Sequence, residues 1–255
     1  MKSIKLMNRV DTKFVTSVPR LMQLLEMARD SYRVQQTDGR RIIPYYTLYF
    51  DTPELSMYNT HHCGRLPRQK ARIRSYVASQ LHFLEVKTKN NHRRTRKKRI
   101  EMPDFVPTAH HRAAMRFTPG KARQEWLDFL DQRLEIAHSE LVPQVENQFN
   151  RITLVNNAGT ERVTIDTSLR FHNLATGRTC DLTGIAIIEL KRDSLTRSPI
   201  LELLRQLRIK KMGFSKYCMG TALTNPAARV NRFKVRLHRV EKIRKGLFVT
   251  THILY

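Results

Sequence analysis

The feature that most constrains this chain is an alternation. In several segments basic residues recur at every second position, with apolar residues between them. In Lys70-Ala71-Arg72-Ile73-Arg74-Ser75-Tyr76, an extended backbone puts Lys70, Arg72 and Arg74 on one face and Ala71 and Ile73 on the other. The same period sets Glu85, Lys87 and Lys89 against Leu84 and Val86. It sets Arg162, Thr164 and Asp166 against Val163 and Ile165, and Glu189 and Lys191 against Ile188 and Leu190. Arg9, Asp11 and Lys13 oppose Val10 and Phe14, and Arg151 opposes Ile152 and Leu154. Thr47–Phe50 reads as a further strand ending at Asp51-Thr52-Pro53, with Asp51 as a structural cap.

Three segments have helical spacing instead. Pro19–Tyr32 carries Leu21, Leu24, Leu25 and Ala28; Lys121–Leu134 carries Trp126, Leu127, Leu130 and Leu134; Pro199–Ile209 carries Leu201, Leu204 and Leu207. Such stripes need an apolar surface, and the strands supply one. The charged strand faces then point away from the helices. Two arrangements satisfy this pattern. An ordinary antiparallel sheet shows its polar face to water. A sheet curled on itself encloses that face as a basic lumen, a site for a polyanion. Alternate residues on a strand lie only about 6.6 Å apart, so rows of like charge repel unless a ligand neutralises them.

Charge says what such a surface would meet. Lys plus Arg is 47 and Asp plus Glu is 22, a formal +25 in 255 residues. Nucleic acid, anionic lipid and phosphate-bearing molecules are the partners this allows. The chain has no apolar run long enough to span a membrane and no signal-like N-terminus, so a cytoplasmic setting is expected. Three Cys without C-x-x-C exclude a disulfide scaffold and a Cys-rich zinc fold. Neither G-x-x-x-x-G-K-[ST] nor G-x-G-x-x-G occurs, so any phosphate would be held by side chains. His61-His62-Cys63 and His110-His111 have no partners at metal-ligand spacing.

Residues 35–44 and 103–120 read as loops. The run from Asn90 to Arg99 is the densest basic stretch and reads as a hairpin or a nucleic-acid patch; few aromatics accompany it, which argues against base stacking. After Asn225-Pro226, residues 226–255 read as a basic amphipathic tail. There Val230, Phe233, Leu237 and Val240 form a stripe that packs on the main body, or alternatively on an anionic membrane or a partner.

In chain order, these fragments resemble the VTC domain, the polyphosphate-synthesising domain of the vacuolar transporter chaperone complex, within the triphosphate tunnel metalloenzymes. The resemblance rests on Arg9-Val10-Asp11-Thr12-Lys13-Phe14, Tyr49-Phe50-Asp51-Thr52-Pro53, Lys70–Tyr76, Leu84–Thr88 and Thr95–Ile100. It continues through Asn150-Arg151, Glu161–Thr167, Ile188-Glu189-Leu190-Lys191 and Phe214-Ser215-Lys216-Tyr217-Cys218. It implies an α+β fold: an antiparallel β-barrel, the triphosphate tunnel, over 1–225, with a basic lumen and helices packed outside. It implies transfer of the ATP γ-phosphoryl group to a growing inorganic polyphosphate chain. By the same resemblance Lys13, Arg72, Arg74, Lys87, Lys97 and Lys216 are catalytic, and Arg9, Lys70, Arg151, Arg162 and Lys191 bind phosphate. Glu189 would hold Mn²⁺ or Mg²⁺, with Arg72 and Arg74 offering donor forks to phosphate.

There are departures. Asp11 stands where a Glu is common, and Phe14 and Phe149 where a Tyr is common. Glu85 is either a second acid or a partner for neighbouring cations, and Asp166 reads as an ion-pair residue. No attached sensor or membrane domain is expected in this chain, so a separate membrane partner at the inner face of a membrane is left open. A triphosphate hydrolase, a non-catalytic polyphosphate or nucleotide binder, and, last, a nucleic-acid binder are the competing readings.

Overall fold

The computed structural model describes residues 9–92, 94–103, 105, 121–193 and 197–251. In chain order the first half gives β1 (Arg9–Ser17), α1 (Val18–Met27), β2 (Tyr32–Val34), β3 (Ile43–Asp51), α2 (Ser56–His62), β4 (Arg68–Tyr76), β5 (Leu81–Lys89), β6 (Thr95–Glu101) and α3 (Lys121–Asp131). The second half gives β7 (Val142–Asn156), β8 (Glu161–Asn173), β9 (Thr179–Leu182), β10 (Ile185–Asp193), α4 (Pro199–Gln206), α5 (Lys216–Thr224) and α6 (Lys234–Thr251).

The strands form one antiparallel sheet in the order β1-β10-β8-β7-β3-β4-β5-β6, with β2 added to β7 and β9 to β8. Direct partners share a face. Lys13 pairs with Glu189, Glu189 with Thr164, Arg151 with Asp166, Tyr49 with Arg72, Arg72 with Glu85, and Lys87 with both Lys70 and Lys97. The alternation read from sequence therefore lines up across strands as a single charged face.

That face is concave. Lys13 on β1 donates to the Phe214 carbonyl at 3.1 Å, and Lys70 on β4 donates to Ser215 Oγ at 2.7 Å. On a flat sheet β1 and β4 would stand five strand spacings apart, roughly 24 Å. Strand side chains stand roughly perpendicular to their sheet, so two lysines reaching adjacent residues cannot span that distance in its plane, and the sheet wraps around the 214–215 segment. Its terminal strands, β1 and β6, are not paired with each other among the described residues. The tunnel is thus a tightly curled antiparallel sheet with a seam, rather than a fully hydrogen-bonded ring.

Helices cover the outside, as the apolar stripes require. α1 and α4 bury Leu21, Leu24, Ile200 and Leu204 against Phe14, Val163, Ile165, Ile188 and Leu190. α3 buries Trp126 and Leu130 against Leu48, Ile73, Leu84 and Val86. A third apolar cluster, with α5 and Phe233 and Val240 of the tail, packs on Val15, Tyr49, Val145, Phe149 and Ile187. These residues lie on the concave face towards one end, so α5 and the tail fill the β1, β3, β7, β8 and β10 side of that end. Phe233, Leu237 and Val240 of the expected tail stripe pack on the body. α1 stops at Met27 because Tyr32 joins β2 opposite Asn156, and the turn after α4 puts Arg208 at φ 54°, which cannot continue a helix. Most of the expected 103–120 loop, with His110-His111, lies outside the described residues.

Candidate phosphate tunnel

Two carboxylates organise the lumen. Glu85, on β5, is almost fully buried. Its Oε2 accepts from Arg72 Nε at 2.8 Å and Nη2 at 2.6 Å, and its Oε1 accepts from Lys97 Nζ at 2.9 Å. Burial alone would raise its pKa, but Arg72, Arg74 and Lys97 together hold it at about 2. Asp166, on β8, accepts from Arg151 Nε at 2.6 Å and Nη2 at 2.8 Å, and also from Lys216 Nζ. Burial opposes its charge, and Lys216 and Arg151 overcome that and keep it ionised. Glu85 and Asp166 are therefore ion-pair anchors.

A third carboxylate, Glu189 on β10, lies 3.0 Å from Lys191 and 3.7 Å from Lys13. Despite its burial those two ammoniums hold its pKa far below the usual range.

The remaining cations are held below their ordinary pKa first by burial and then by one another. Arg74 is enclosed, with its guanidinium 5.7 Å from the Tyr45 ring centre and its buried Nε without a hydrogen-bond partner. Burial, then the charges of Arg72 and Arg151, lower its pKa. Lys87 opens onto the lumen's solvent, yet burial and the neighbouring Lys13 and Arg72 push it down to about 8. Lys216 stands 4.2 Å over the Phe149 ring and is pushed down to about 7 by burial, with Arg151 and Lys13 adding to it and Asp166 opposing. Lys70 is lowered chiefly by burial. Around these lysines the three carboxylates do not balance the buried positive charge, and a polyanion would add the negative charge that does.

The residues singled out from sequence are brought together around this lumen. Lys13, Lys70, Arg72, Arg74, Lys87, Lys97, Arg151, Lys191, Lys216 and Glu189 are linked by the contacts and fields above. Arg162 sits on the same face at the start of β8, opposite Lys191. Arg9 pairs through its backbone with Asp193, and its side chain lies outside what the structure describes. One expectation changes. Arg72 turns Nε and Nη2 to Glu85, so its fork is spent on the protein; Nη1, 3.5 Å from the Tyr49 hydroxyl, is the arm left for a ligand. Arg74 keeps its fork free of acids among the described residues.

Against this geometry, comparison with known families is decisive. The VTC domain model matches residues 8–225. The chain belongs to the VTC domain family. A polyphosphate- or triphosphate-related activity comes with that membership. No curated protein matches this VTC chain by sequence. Solved structures similar to it include a candidate adenylyl cyclase from Hippeastrum with a dominant triphosphatase activity. It has 15% identity, covers 86% of this chain and 98% of its own, and gives a TM-score of 0.49. A candidate adenylate cyclase from Vibrio parahaemolyticus has 11% identity, covers 84% and 99%, and gives a TM-score of 0.46.

Sequence reasoning named Phe149 but not its partner in the aromatic floor of the VTC tunnel, Tyr45. Tyr45 stacks on Phe149 at 5.1 Å, and Arg151 lies 5.0 Å from the Tyr45 ring centre and 5.3 Å from that of Phe149. The signal was there: Tyr45, Thr47 and Tyr49 alternate on β3 in phase with the cations of β4. A Phe at 149 gives up a hydroxyl but keeps the ring face that carries Lys216. For a metal, no group of three His, Cys, Asp or Glu side chains converges among the described residues. Glu189 offers one ionised carboxylate, which suits a divalent ion whose other ligands are phosphate oxygens and water.

Proposed function

We propose that this VTC-family chain is an ATP-dependent polyphosphate polymerase. The observation that carries the proposal is the acid-poor stretch of lumen around Arg74, Lys87 and Lys70, whose cations are set against one another. A terminal phosphate oxygen of the growing chain attacks the γ-phosphorus of ATP. The bond from that phosphorus to the β–γ bridging oxygen breaks, ADP leaves with the electron pair, and the chain lengthens by one phosphate.

The reaction needs alignment and charge neutralisation more than covalent help. Arg74 and the free arm of Arg72 fix non-bridging oxygens, while Lys13, Lys87 and Lys216 surround the transferring group as point charges. Glu85 and Asp166 hold Arg72, Lys97, Arg151 and Lys216 in place before the substrate arrives. Glu189, with Lys191 and Lys13 beside it, would hold Mn²⁺ or Mg²⁺ carried in on the nucleotide. When bound, that ion would supply Lewis-acid neutralisation of phosphate charge.

The test is incubation with ATP and Mn²⁺ or Mg²⁺, the products being resolved on a polyphosphate gel beside Glu189→Ala. A metal-dependent ladder, lost in the variant, supports the polymerase. Orthophosphate without chains makes it a triphosphatase, and binding without turnover makes it a polyphosphate-binding module.

A further inference from the structure

One group of cations is not used by this chemistry. At the end of the tunnel that α5 and the tail partly fill, Arg68 of β4 and Lys89 of β5 are direct cross-strand partners on the lumen face, one step beyond Lys70 and Lys87. Like charges placed directly opposite destabilise a sheet. A third cation comes from α6, beyond the 8–225 span of the family match. Phe233 fixes the start of that helix by packing edge-on to His62 at 5.2 Å, and Arg232 Nη1 donates to the Cys63 carbonyl at 2.7 Å. One turn on, Arg236 lies 5.5 Å from the Phe233 ring centre.

His61, at the end of α2, registers all of them. Burial first, then the charges of Lys70, Arg68, Arg236 and Lys89, push it down to about 2, so it stays neutral. Arg68 in turn is lowered by burial and by Arg236. The register sets Arg68 beside Lys89 on the lumen face, and the packing of Phe233 and Arg232 on the end of α2 brings the start of α6 to that end, where His61 adds no further positive charge. From Arg74 to Arg68 is six residues of strand, roughly 20 Å. Three linked phosphates cover only part of that length, so a nucleotide held at Arg72 and Arg74 does not reach Arg68.

We propose that Arg68, Lys89 and Arg236 form a distal phosphate site that grips inorganic polyphosphate beyond the reacting group, with α6 supplying one wall. The proposal rests on the polyphosphate reading above and adds the end of the tunnel that holds the chain. It predicts a length-dependent contact: long chains reach Arg236 and tripolyphosphate does not.

The experiment is titration of the full chain with tripolyphosphate and with long-chain polyphosphate, in the wild type, Arg236→Glu and Arg236→Lys. Arg236→Glu is expected to weaken long-chain binding about tenfold and leave tripolyphosphate within twofold. The salt dependence of log Kd for the long chain should become shallower by roughly one unit. Arg236→Lys should restore most of the long-chain affinity, which separates charge from any loss of folding. Equal weakening of both ligands, or no change in either, overturns the distal site while the tunnel reading stands. Failure of the wild type to bind either ligand overturns the tunnel reading itself. A single-stranded oligonucleotide that competes as well as polyphosphate, with equal loss in Arg236→Glu, assigns the cluster to nucleic acid and overturns the proposal.

Discussion

Glu85 shows how a basic cavity is kept foldable. Its one buried carboxylate takes three hydrogen bonds from Arg72 and Lys97, so removing its charge leaves a mostly buried guanidinium unpaired. Glu85→Gln is expected to cost about 3 kcal/mol, the lower end for a broken buried pair because Lys97 is partly solvated. Tripolyphosphate should recover part of that loss, since it supplies negative charge to the same cations. The pH dependence follows from the depressed pKa. A carboxylate at about 2 when folded and near 4.5 when unfolded stabilises above pH 4.5, and its contribution is lost as pH falls towards 2. Chemical denaturation across that window should give a flatter acid limb in Glu85→Gln than in the wild type. Ligand binding at the lysines runs the other way with pH. Lys87, at about 8, is partly neutral above that pH, and a bound polyanion raises its pKa, so binding takes up a proton. Tripolyphosphate affinity should therefore fall from pH 8 to 9.5. Lys87→Arg, which does not titrate there, should fall less steeply, and titration calorimetry at each pH decides it.

At the scale of elements, α5 couples the apolar cluster at that end to the lumen. Its N-terminal turn presents Lys216 to Asp166, and Ser215 caps the helix while accepting from Lys70. Further along, Gly220 lets the helix lie directly on β7 and β8. A Cβ there would fall 2.6 Å from Phe171 Cδ1 and 3.1 Å from Val145 Cγ1. Gly220→Ala should thus destabilise by about 1–3 kcal/mol and lower Tm by several degrees. It should also weaken triphosphate binding by displacing Lys216. A Tm that does not fall would show that Phe171 gives way freely. The same helix shows where sequence reading runs out. β4, β5, β8 and β10 are legible because one face is charged and the other apolar, and period two survives. α5 is surrounded, with Tyr217, Cys218, Met219, Gly220 and Thr221 all buried, so no periodicity marks it. α2 is equally hidden: Asp51 receives the Met57 and Tyr58 amides across an intervening loop, a cap that local spacing does not reveal. The candidate lumen residues were legible from alternation and family resemblance together. The pairing of Arg72 with Glu85, and the seam between β1 and β6, depend on side-chain direction and sheet curl, which period alone does not encode.

For the whole molecule, a charge of +25 concentrated partly inside a curled sheet would make a polyanionic ligand a structural component. Each lumen cation held below its ordinary pKa marks a cost of burial, with repulsion from its neighbours added, that a polyanion binding only the folded state would relieve. At a hundredfold excess over Kd, such a ligand adds about 2.7 kcal/mol. For a chain of this size, 2–4 °C per kcal/mol converts that to a rise in Tm of roughly 5–10 °C. Tripolyphosphate at that excess should produce this shift in a thermal melt, whereas chloride at matched ionic strength should not, because screening acts on exposed charges more than on enclosed ones. Arg74→Gln removes the enclosed guanidinium that has no acid partner among the described residues. It should raise the Tm of the ligand-free protein slightly and shrink the tripolyphosphate shift. A variant that lost stability without ligand and kept the full shift would mean that Arg74 serves the fold rather than the phosphate. The opposite signs expected with and without ligand are what separate a cavity suited to an anion from a sheet that merely tolerates its charges.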